Sequence, residues 1–410
     1  MIKVVYLNHY GVLGGAQRSM LELITSFPKE KVSPVVITPA GRVEDVLDRI
    51  GIEKHIVPFG VTKFDHTKLG YYRGWRWLIL IREVLLIFPT LYSFMRYRRQ
   101  FKACDVVHVN ELTCLLSIIA VKRLFKKPLV VHARVLLNND QAQWRTDMVS
   151  RILRKHADRI IAIDSTVAGR LPKGLNVAVI HNSFAVKSPI ARGSEFEDHL
   201  KTIPKRRLNI GFLGAIHHNK GVFDLMKAAA LCVDRQMDVS FIIAGNRNPV
   251  GGHKSRGFGI KLNRDAEQEL FAMIDKNKLQ NNVHLIGLSS NTEPLFRYID
   301  VVCFPSHYGA LGRPVFEAAF YSKPSIVALT GEVFSDTFIS GHTGIRVDPH
   351  DPQAIFEAIK VYYDDPSSLV SMGSRALELA NENFDPETNA SKVLDVYESL
   401  IKNHHAHPRP

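Results

Sequence analysis

The stretch 305-PSHYGALGRPVFEAAFYSKPSIVA-328 decides the fold of this chain. An apolar, β-prone run, DVVCF at 300–304, precedes it, and SIVAL at 325–329 begins a new strand after Pro324 ends the helix. Between the strands, a glycine-punctuated loop at 309–312 leads into a short helix that has Pro314 in its first turn. The stretch therefore predicts a strand, a loop, a helix and a second strand, the repeating unit of an α/β fold.

The loop and the start of this helix carry residues suited to a phosphorylated sugar ligand. Gly309 and Gly312 allow backbone amides to approach a ligand, and the positive end of the helix faces the loop. Arg313 suits an anion, and Glu317 can accept hydrogen bonds from two hydroxyls. Together they predict a sugar-nucleotide site. An ordinary βαβ turn, in which Glu317 only complements the helix dipole, stays open as the alternative.

Length and charge restrict the class of protein. A chain of 410 residues exceeds one typical core, so two domains of roughly 200 residues are expected. The net charge of +13 predicts attraction to anions, which include nucleic acid, an anionic bilayer and a phosphorylated substrate. The cysteines lie far apart without CxxC spacing, which favours buried thiols in a reducing compartment over disulfides or zinc. They are Cys104, Cys114, Cys232 and Cys303.

Two features predict a cytoplasmic protein, with a peripheral position at the inner membrane face as a candidate. The first residues, MIKVVYLNHYG, read directly as a strand, so no signal peptide is expected. The longest apolar region, 78–95, is interrupted by Arg82, Glu83 and Pro89. It is therefore not predicted to span a bilayer.

The first half of the chain repeats the strand, loop and helix pattern. A strand at 2–7 runs into Gly14 and Gly15, which open a helix with apolar residues at helical spacing. Strands and helices then alternate to residue 185, which predicts a parallel doubly wound sheet. The GxGxxG dinucleotide fingerprint is absent. The two glycines predict free amides at a helix N-terminus, and a purely structural tight turn stays open.

His132 is the preferred functional residue of this half. It lies near the carboxyl end of the strand PLVVHAR, and ligands bind at that edge of open α/β sheets. His108 and Asn182 lie near similar strand ends, and Arg134 follows His132 closely. A hydrogen-bonded histidine with only a structural role stays open as the alternative.

The segment 71–102 interrupts the alternating pattern. Its tyrosines, tryptophans and phenylalanines are interleaved with arginines around an apolar helix. This composition suits the headgroup level of an anionic membrane. A core helix with a solvated basic face is the alternative. Single-stranded nucleic acid uses the same residue types, but no RRM, KH or helix-turn-helix signature is present, so nucleic acid is not a predicted partner.

A second domain of the same type is predicted after a linker. Residues 186–207 mix proline, glycine, serine and charge, and we assign them as the linker between a domain at 1–185 and one at 208–375. The run 208–232 repeats the pattern of the N-terminus, with Gly214 in its loop and Lys220 just before the helix. An ammonium there can reach a pyrophosphate, and an exposed loop lysine is the alternative. The helices at 376–410 are predicted to pack back toward the first domain and to end in a disordered, histidine-rich tail.

These motifs, in this order, resemble those of retaining glycosyltransferases of the family 4 type, the glycosyl transferases group 1. The resemblance covers nearly the whole chain, including GGAQRSMLEL, DVVHVN, VVHAR, VIHNSF, GFLGAIHHNKGVFDLMKAA, FIIAGN and HTGIRVDPHDPQAIFEAI. It implies two Rossmann-like domains facing across a cleft, the GT-B architecture. It also implies transfer of a sugar from a UDP- or GDP-linked donor to a glycan or lipid-linked acceptor in cell-surface polysaccharide synthesis.

The resemblance also assigns site residues, with no metal and no cofactor beyond the nucleotide sugar. The implied catalytic residues are His132, Lys220 and Glu317. The implied donor-binding residues are Gly14, Gly15, Gly214, Lys220, Gly309, Leu311, Gly312, Arg313 and Glu317. The chain departs from the family at two positions, since Ala215 stands where an arginine is usual and Gly309 where a glutamate is usual. A degenerate, non-catalytic sugar-nucleotide-binding subunit therefore stays open as the alternative.

Overall fold

The structure is a computed structural model that divides into two compact units. It describes residues 1–57, 61, 77–137, 143–186, 195–245, 264–287, 289, 291–308, 311–331 and 336–406. Unit 1 consists of Met1–Ala185 together with Asp385–Pro410, and unit 2 is Val186–Phe384.

Unit 1 contains a parallel sheet whose strand order is β3-β2-β1-β4-β5-β6-β7. The strands are β1 (Ile2–Leu7), β2 (Val32–Pro39), β3 (Glu53–Val57), β4 (Val106–Val109), β5 (Leu129–Ala133), β6 (Arg159–Ala162) and β7 (Val177–Val179). Every residue of β4 and β5 is buried, because helices cover both faces of a parallel sheet. The helices of this part of the chain are α1 (Gly15–Ser26), α2 (Arg42–Arg49), α3 (Trp77–Leu85), α4 (Ile87–Arg96), α5 (Arg98–Ala103), α6 (Leu115–Ala120), α7 (Gln143–His156) and α8 (Ser165–Arg170).

Unit 2 contains a second parallel sheet, with strand order β10-β9-β8-β11-β12-β13. Its strands are β8 (Leu208–Leu213), β9 (Val239–Ala244), β10 (Val283–Leu285), β11 (Val301–Phe304), β12 (Ser325–Ala328) and β13 (Gly344–Val347). Its helices are α9 (Glu195–Thr202), α10 (Val222–Asp234), α11 (Arg264–Lys276), α12 (Glu293–Tyr298), α13 (Arg313–Ala319), α14 (Pro352–Asp364) and α15 (Pro366–Asn383). The predicted class, α/β with two doubly wound parallel sheets, is confirmed.

The final helix, α16 (Pro386–Ala406), belongs to unit 1 and packs on α1. Tyr397 of α16 is fully buried, and its ring centroid lies 6.0 Å from that of Phe27, just after α1. The rest of the segment predicted to pack back, 376–384, is part of unit 2, where Phe384 stacks on Phe316 at 4.6 Å.

The segment 186–207, predicted as a linker, contains helix α9. Its apolar residues Phe196, Leu200 and Ile203 are buried in the core of unit 2. Their spacing of four and three residues places them on one helix face. The surrounding charged residues hide that spacing in the sequence, which is why the helix was not predicted.

Among the described residues, we find no helix with the length and apolar character needed to cross a bilayer.

Candidate functional site

Each sheet has one point where its strand order reverses direction. In unit 1 this point lies between β1 and β4, and in unit 2 it lies between β8 and β11. Loops that leave neighbouring parallel strands in opposite directions open a crevice at the carboxyl edge, and ligands of open α/β sheets bind there. Gly14 and Gly15 follow β1, Lys220 follows β8, and Glu317 follows β11. The predicted residues therefore lie at the two expected binding edges, each within its own unit.

The turn after β8 holds Lys220 in a fixed conformation. A single 3-10 turn, His218–Lys220, ends at Gly221, whose φ is +73°. A Cβ at Gly221 would lie 1.8 Å from the carbonyl oxygen of Pro305. Only glycine fits here, because the left-handed backbone and the close contact both exclude a side chain. Gly214, a predicted donor-binding residue, follows β8, and its N–H donates to the carbonyl of Ala244 at 3.0 Å.

The ammonium of Lys220 lies among aromatic rings. Its Nζ is 5.1 Å from the ring centroid of Tyr308 and 5.7 Å from that of Phe304. In the part of the chain that the structure describes, no carboxylate forms an ion pair with it. Burial lowers the pKa of Lys220, because the charged form loses water. The two rings compensate only part of this loss, so the ammonium is well placed for an anion.

Phe304 connects this turn to the loop before α13. A Cβ at Gly312, which caps α13, would lie 2.1 Å from Cζ of Phe304. The sequence predicted that Gly312 lets a backbone amide approach a ligand. The structure shows that a side chain at this position would collide with the ring of Phe304. Leu311 packs against the unit 2 core beside it. Gly309, the remaining predicted loop residue, lies outside the described residues.

Arg313 and Glu317 are partners on α13. Arg313 Nε donates to Glu317 Oε1, and both side chains are almost completely buried. From the sequence, we predicted that Arg313 binds an anion and that Glu317 accepts hydrogen bonds from hydroxyls, as two independent ligand contacts. The structure instead uses the guanidinium to orient the carboxylate, which fixes the direction in which Glu317 can accept hydrogen bonds.

The loop after β11 is joined to the lysine turn by hydrogen bonds. The backbone N–H of His307 donates to the carbonyl of Asn219 at 3.0 Å, and Ser306 Oγ donates to the same oxygen at 3.4 Å. Asn219 Nδ2 donates to the hydroxyl of Tyr308 at 3.5 Å. The loops after β8 and β11 therefore form one connected surface within unit 2.

In unit 1, the glycine pair begins α1. Gly14 is the N-cap residue, and its N–H donates to the carbonyl of Val12 at 2.9 Å. A Cβ at Gly15 would meet no described atom within 4 Å. The backbone at Gly15 is thus accessible to a ligand, whereas the amide of Gly14 is already used within the turn.

His132 is part of a buried chain of hydrogen bonds that crosses the sheet of unit 1. Its Nδ1 lies 3.1 Å from Nε2 of His108 on the neighbouring strand β4, and 3.3 Å from Nη2 of Arg134. His108 Nδ1 lies 2.5 Å from the hydroxyl of Tyr397, which is 2.9 Å from the hydroxyl of Tyr6. The two histidines and two tyrosines are all buried.

Arg134 determines which nitrogen of His132 carries the proton. A guanidinium only donates, so Nδ1 of His132 accepts and Nε2 is the N–H donor. Burial lowers the pKa of both histidines, that of His108 to about 3, so both rings are neutral near pH 7. Nε2 of His132 is buried and has no hydrogen-bond partner among the described residues. His132 therefore presents one unused donor, which suits the oxygen of a ligand.

Sequence reasoning named His108, Arg134 and Asn182 near His132, but it missed Tyr6, Asn110 and Tyr397 of this network. Arg134 Nε donates to Asn110 Oδ1 at 2.8 Å, and its Nη1 donates to Asn182 Oδ1 at 2.6 Å. Tyr397 lies 289 residues after its partner His108, and no local motif marks it. The only available signal was its place on the apolar face of α16 with Val393 and Leu394.

Comparison with known proteins finds a family match for each half of the chain. Residues 13–186 match the family described as Glycosyltransferase Family 4, and residues 194–379 match Glycosyl transferases group 1. The lipopolysaccharide core biosynthesis mannosyltransferase LpsB of Rhizobium meliloti is 23% identical over 308 residues, which are 74% of this chain and 82% of that protein. A D-inositol 3-phosphate glycosyltransferase of Pseudarthrobacter chlorophenolicus is 27% identical over 340 residues, 77% of this chain and 76% of that protein.

Solved structures agree on the fold. The crystal structure of Anabaena HepE in complex with UDP and glucose has a TM-score of 0.74 at 19% identity, with 97% of this chain and all of that chain covered. Sucrose-phosphate synthase from Thermosynechococcus elongatus has a TM-score of 0.71 at 14% identity, with 98% and 100% covered. The two family matches together span most of the sequence, and the chain belongs to the GT-B glycosyltransferases, with a family 4 first half and a group 1 second half.

Proposed function

We propose that this protein is a retaining, metal-independent transferase that moves a sugar from a UDP- or GDP-linked donor to a glycan or lipid-linked acceptor. The observation that carries the proposal is Lys220, a desolvated cation without a carboxylate partner among the described residues, at the binding edge of unit 2. The printed names of relatives support a role in cell-surface polysaccharide synthesis, because LpsB acts in lipopolysaccharide core biosynthesis. HepE, a fold neighbour, was crystallised with UDP and glucose.

In this proposal, unit 2 holds the donor. The Lys220 ammonium stabilises the negative charge that grows on the diphosphate as the sugar leaves, and a poorly solvated site strengthens that interaction. Glu317, oriented by Arg313, accepts hydrogen bonds from the ribose hydroxyls. Ala215 removes one cation that is usual in the family, so Lys220 carries a larger share of the charge here.

His132 acts from unit 1. Its Nε2–H donates to a hydroxyl of the acceptor, and Arg134 together with the chain through His108 to Tyr397 keeps the ring in the required tautomer. Because the ring stays neutral near pH 7, it is a hydrogen-bond donor rather than a proton source. Retention then follows from attack on the same face that the diphosphate leaves, with the leaving phosphate accepting the acceptor proton.

A thermal-shift screen tests this proposal. We expect one of UDP, GDP or ADP, or its sugar, to raise the Tm, because a ligand that binds only the folded state stabilises it by mass action. His132→Phe, which keeps a flat ring but has no N–H, should keep this shift yet lower turnover of the responding nucleotide sugar by roughly 10²- to 10³-fold, the usual effect of one lost donor to a transition state.

The possible results separate the alternatives. If no nucleotide raises the Tm, the donor site proposed around Lys220 is wrong. A shift without turnover of any donor would instead favour the non-catalytic binding subunit.

We also propose that α3 and α4 hold the protein at an anionic membrane surface. The described part of the predicted segment exposes large apolar side chains at intervals of three and four residues, so they form one stripe along these helices. They are Ile81, Val84, Leu85, Phe88, Leu91, Tyr92 and Met95. The opposite face is fixed to unit 1 by Phe94, which packs on Phe101, and α4 and α5 add arginines at 96, 98 and 99. Residues 71–76 of the predicted segment lie outside the described residues.

Phe88→Asp is expected to weaken binding to vesicles of anionic lipid by roughly 20- to 30-fold. The Phe88 side chain is 72% exposed, and its burial in the acyl boundary contributes about 2 kcal/mol. Val370→Asp is the matched control, because Val370 is 75% exposed but lies on α15 of unit 2, outside the stripe. Co-sedimentation with vesicles measures both. Equal binding by the two variants would remove the argument for a membrane surface.

A further inference from the structure

A second polar cluster in unit 2 has no role in the transfer reaction proposed above. It consists of Asp224 in the first turn of α10, His307 in the loop after β11, and His350 in the loop between β13 and α14. One potential ligand atom from each residue lies within 4.8 Å of the other two. We propose that these three side chains form a binding site for one divalent cation of the zinc class.

The donor set determines the class of ion. Two imidazoles and one carboxylate are ligands typical of Zn²⁺ and its neighbours Co²⁺ and Ni²⁺, whereas Mg²⁺ and Ca²⁺ are bound mainly by oxygen. Three protein ligands leave one position of a tetrahedral ion for water. His350 is exposed, so an ion can enter from solvent. The set therefore favours zinc over the hard cations.

The geometry needs only small shifts to close around an ion. Ligand atoms of a tetrahedral zinc lie roughly 3.3–3.5 Å apart, since each bond to zinc is about 2.0–2.2 Å. His307 Nε2 lies 2.6 Å from Asp224 Oδ2, and the rings of His307 and His350 have centroids 3.6 Å apart. Without the ion, His307 Nε2–H donates to Asp224. With it, that proton is released and the metal joins the same two atoms.

Among the residues that the structure describes, one other charged group competes for Asp224. Lys227 Nζ lies 3.3 Å from Oδ1, but its side chain is 57% exposed and can turn to solvent. The Oδ2 atom, which faces His307, is not used by this lysine. The carboxylate itself is buried, so it gains more from an ion than an exposed carboxylate would.

His350 occupies a backbone conformation that disfavours its own side chain. Its φ is +63°, in the left-handed region that glycine and asparagine prefer. In this conformation its ring lies against that of His307, with centroids 3.6 Å apart. Glycine at this position would remove both the strain and the third ligand, which provides an unusually clean test variant.

The experiment uses the full chain after removal of metal with EDTA. We expect one Zn²⁺ per chain by isothermal titration calorimetry, an increase in Tm with Zn²⁺, and no increase with Mg²⁺ at the same concentration. His350→Gly should have a metal-free Tm equal to or above that of wild type. Its affinity for Zn²⁺ should fall at least about tenfold. His307→Ala should show the same loss.

The histidines of α16 provide the control. The double variant with His404→Ala and His405→Ala should keep the affinity of the wild-type chain. If His350→Gly and His307→Ala bind Zn²⁺ like the wild-type chain, or if the α16 variant loses binding, the site is wrong. The nucleotide response described above is measured in the same samples, so failure of one proposal does not affect the other.

Discussion

Lys220→Met is expected to slow sugar transfer by roughly 10²- to 10³-fold and, at the same time, to raise the stability of the folded chain. Loss of a preorganised charge opposite a leaving diphosphate typically costs about 3–4 kcal/mol in the transition state. Burial lowers the pKa of Lys220, which means that the folded state disfavours the charged form. Methionine keeps an apolar stem and places its thioether end, in place of the ammonium, near the rings of Phe304 and Tyr308 without that cost.

Lys276→Met is the matched control for this variant. Lys276 is exposed at the end of α11, so its replacement should leave both turnover and stability close to those of the wild-type chain. Turnover of the nucleotide sugar and the Tm are measured on the same preparations. A Lys220→Met variant that loses stability together with activity would show that the lysine is structural, and the donor site would have to be placed elsewhere.

Gly221→Ala is expected to lower the free energy of unfolding by about 3 kcal/mol or more. A left-handed backbone costs an alanine about 1–2 kcal/mol, and the contact with the carbonyl of Pro305 adds the cost of moving two backbones apart. Because this contact holds the lysine turn against the loop after β11, the variant should also lose the nucleotide-induced increase in Tm.

Gly341→Ala separates the cost of the left-handed backbone from the cost of the contact with Pro305. Gly341 has a φ of +74°, almost equal to that of Gly221, but a Cβ there meets no described atom within 4 Å. Denaturant unfolding of the two variants should therefore give a loss of about 1 kcal/mol for Gly341→Ala and a much larger loss for Gly221→Ala. Equal losses would show that the contact with Pro305 relaxes easily and does not fix the turn.

Local patterns were sufficient for the sheets but not for the contacts between distant segments. The strand at 301–304 and the helix at 313–319 follow from an apolar run, glycines and a proline within a short window, and both were predicted correctly. The pairing of Arg313 with Glu317 was also readable in principle, since residues four apart on a helix meet. We missed this pairing because we predicted a separate ligand contact for Arg313 and for Glu317.

Two other features depended on tertiary structure. Position 312 requires glycine because the ring of Phe304 leaves no space for a Cβ, and the loop sequence alone does not reveal this contact. The tautomer of His132 depends on Arg134, His108 and Tyr397, and the last of these comes from the far end of the chain. Composition and periodicity describe neighbours along the sequence, so partners from distant segments stay hidden until the fold is known.

The discontinuity of unit 1 has a consequence for how the protein is made. Residues 1–185 leave the ribosome first, but Tyr397 is synthesised only after roughly 200 further residues, which takes about 10–40 s at typical rates of translation. Until then the nascent first half lacks the helix that covers α1 and the hydroxyl that satisfies His108. We therefore expect this half to need chaperone protection during synthesis, and a premature stop codon near residue 385 to yield a chain that is degraded rather than a smaller active enzyme.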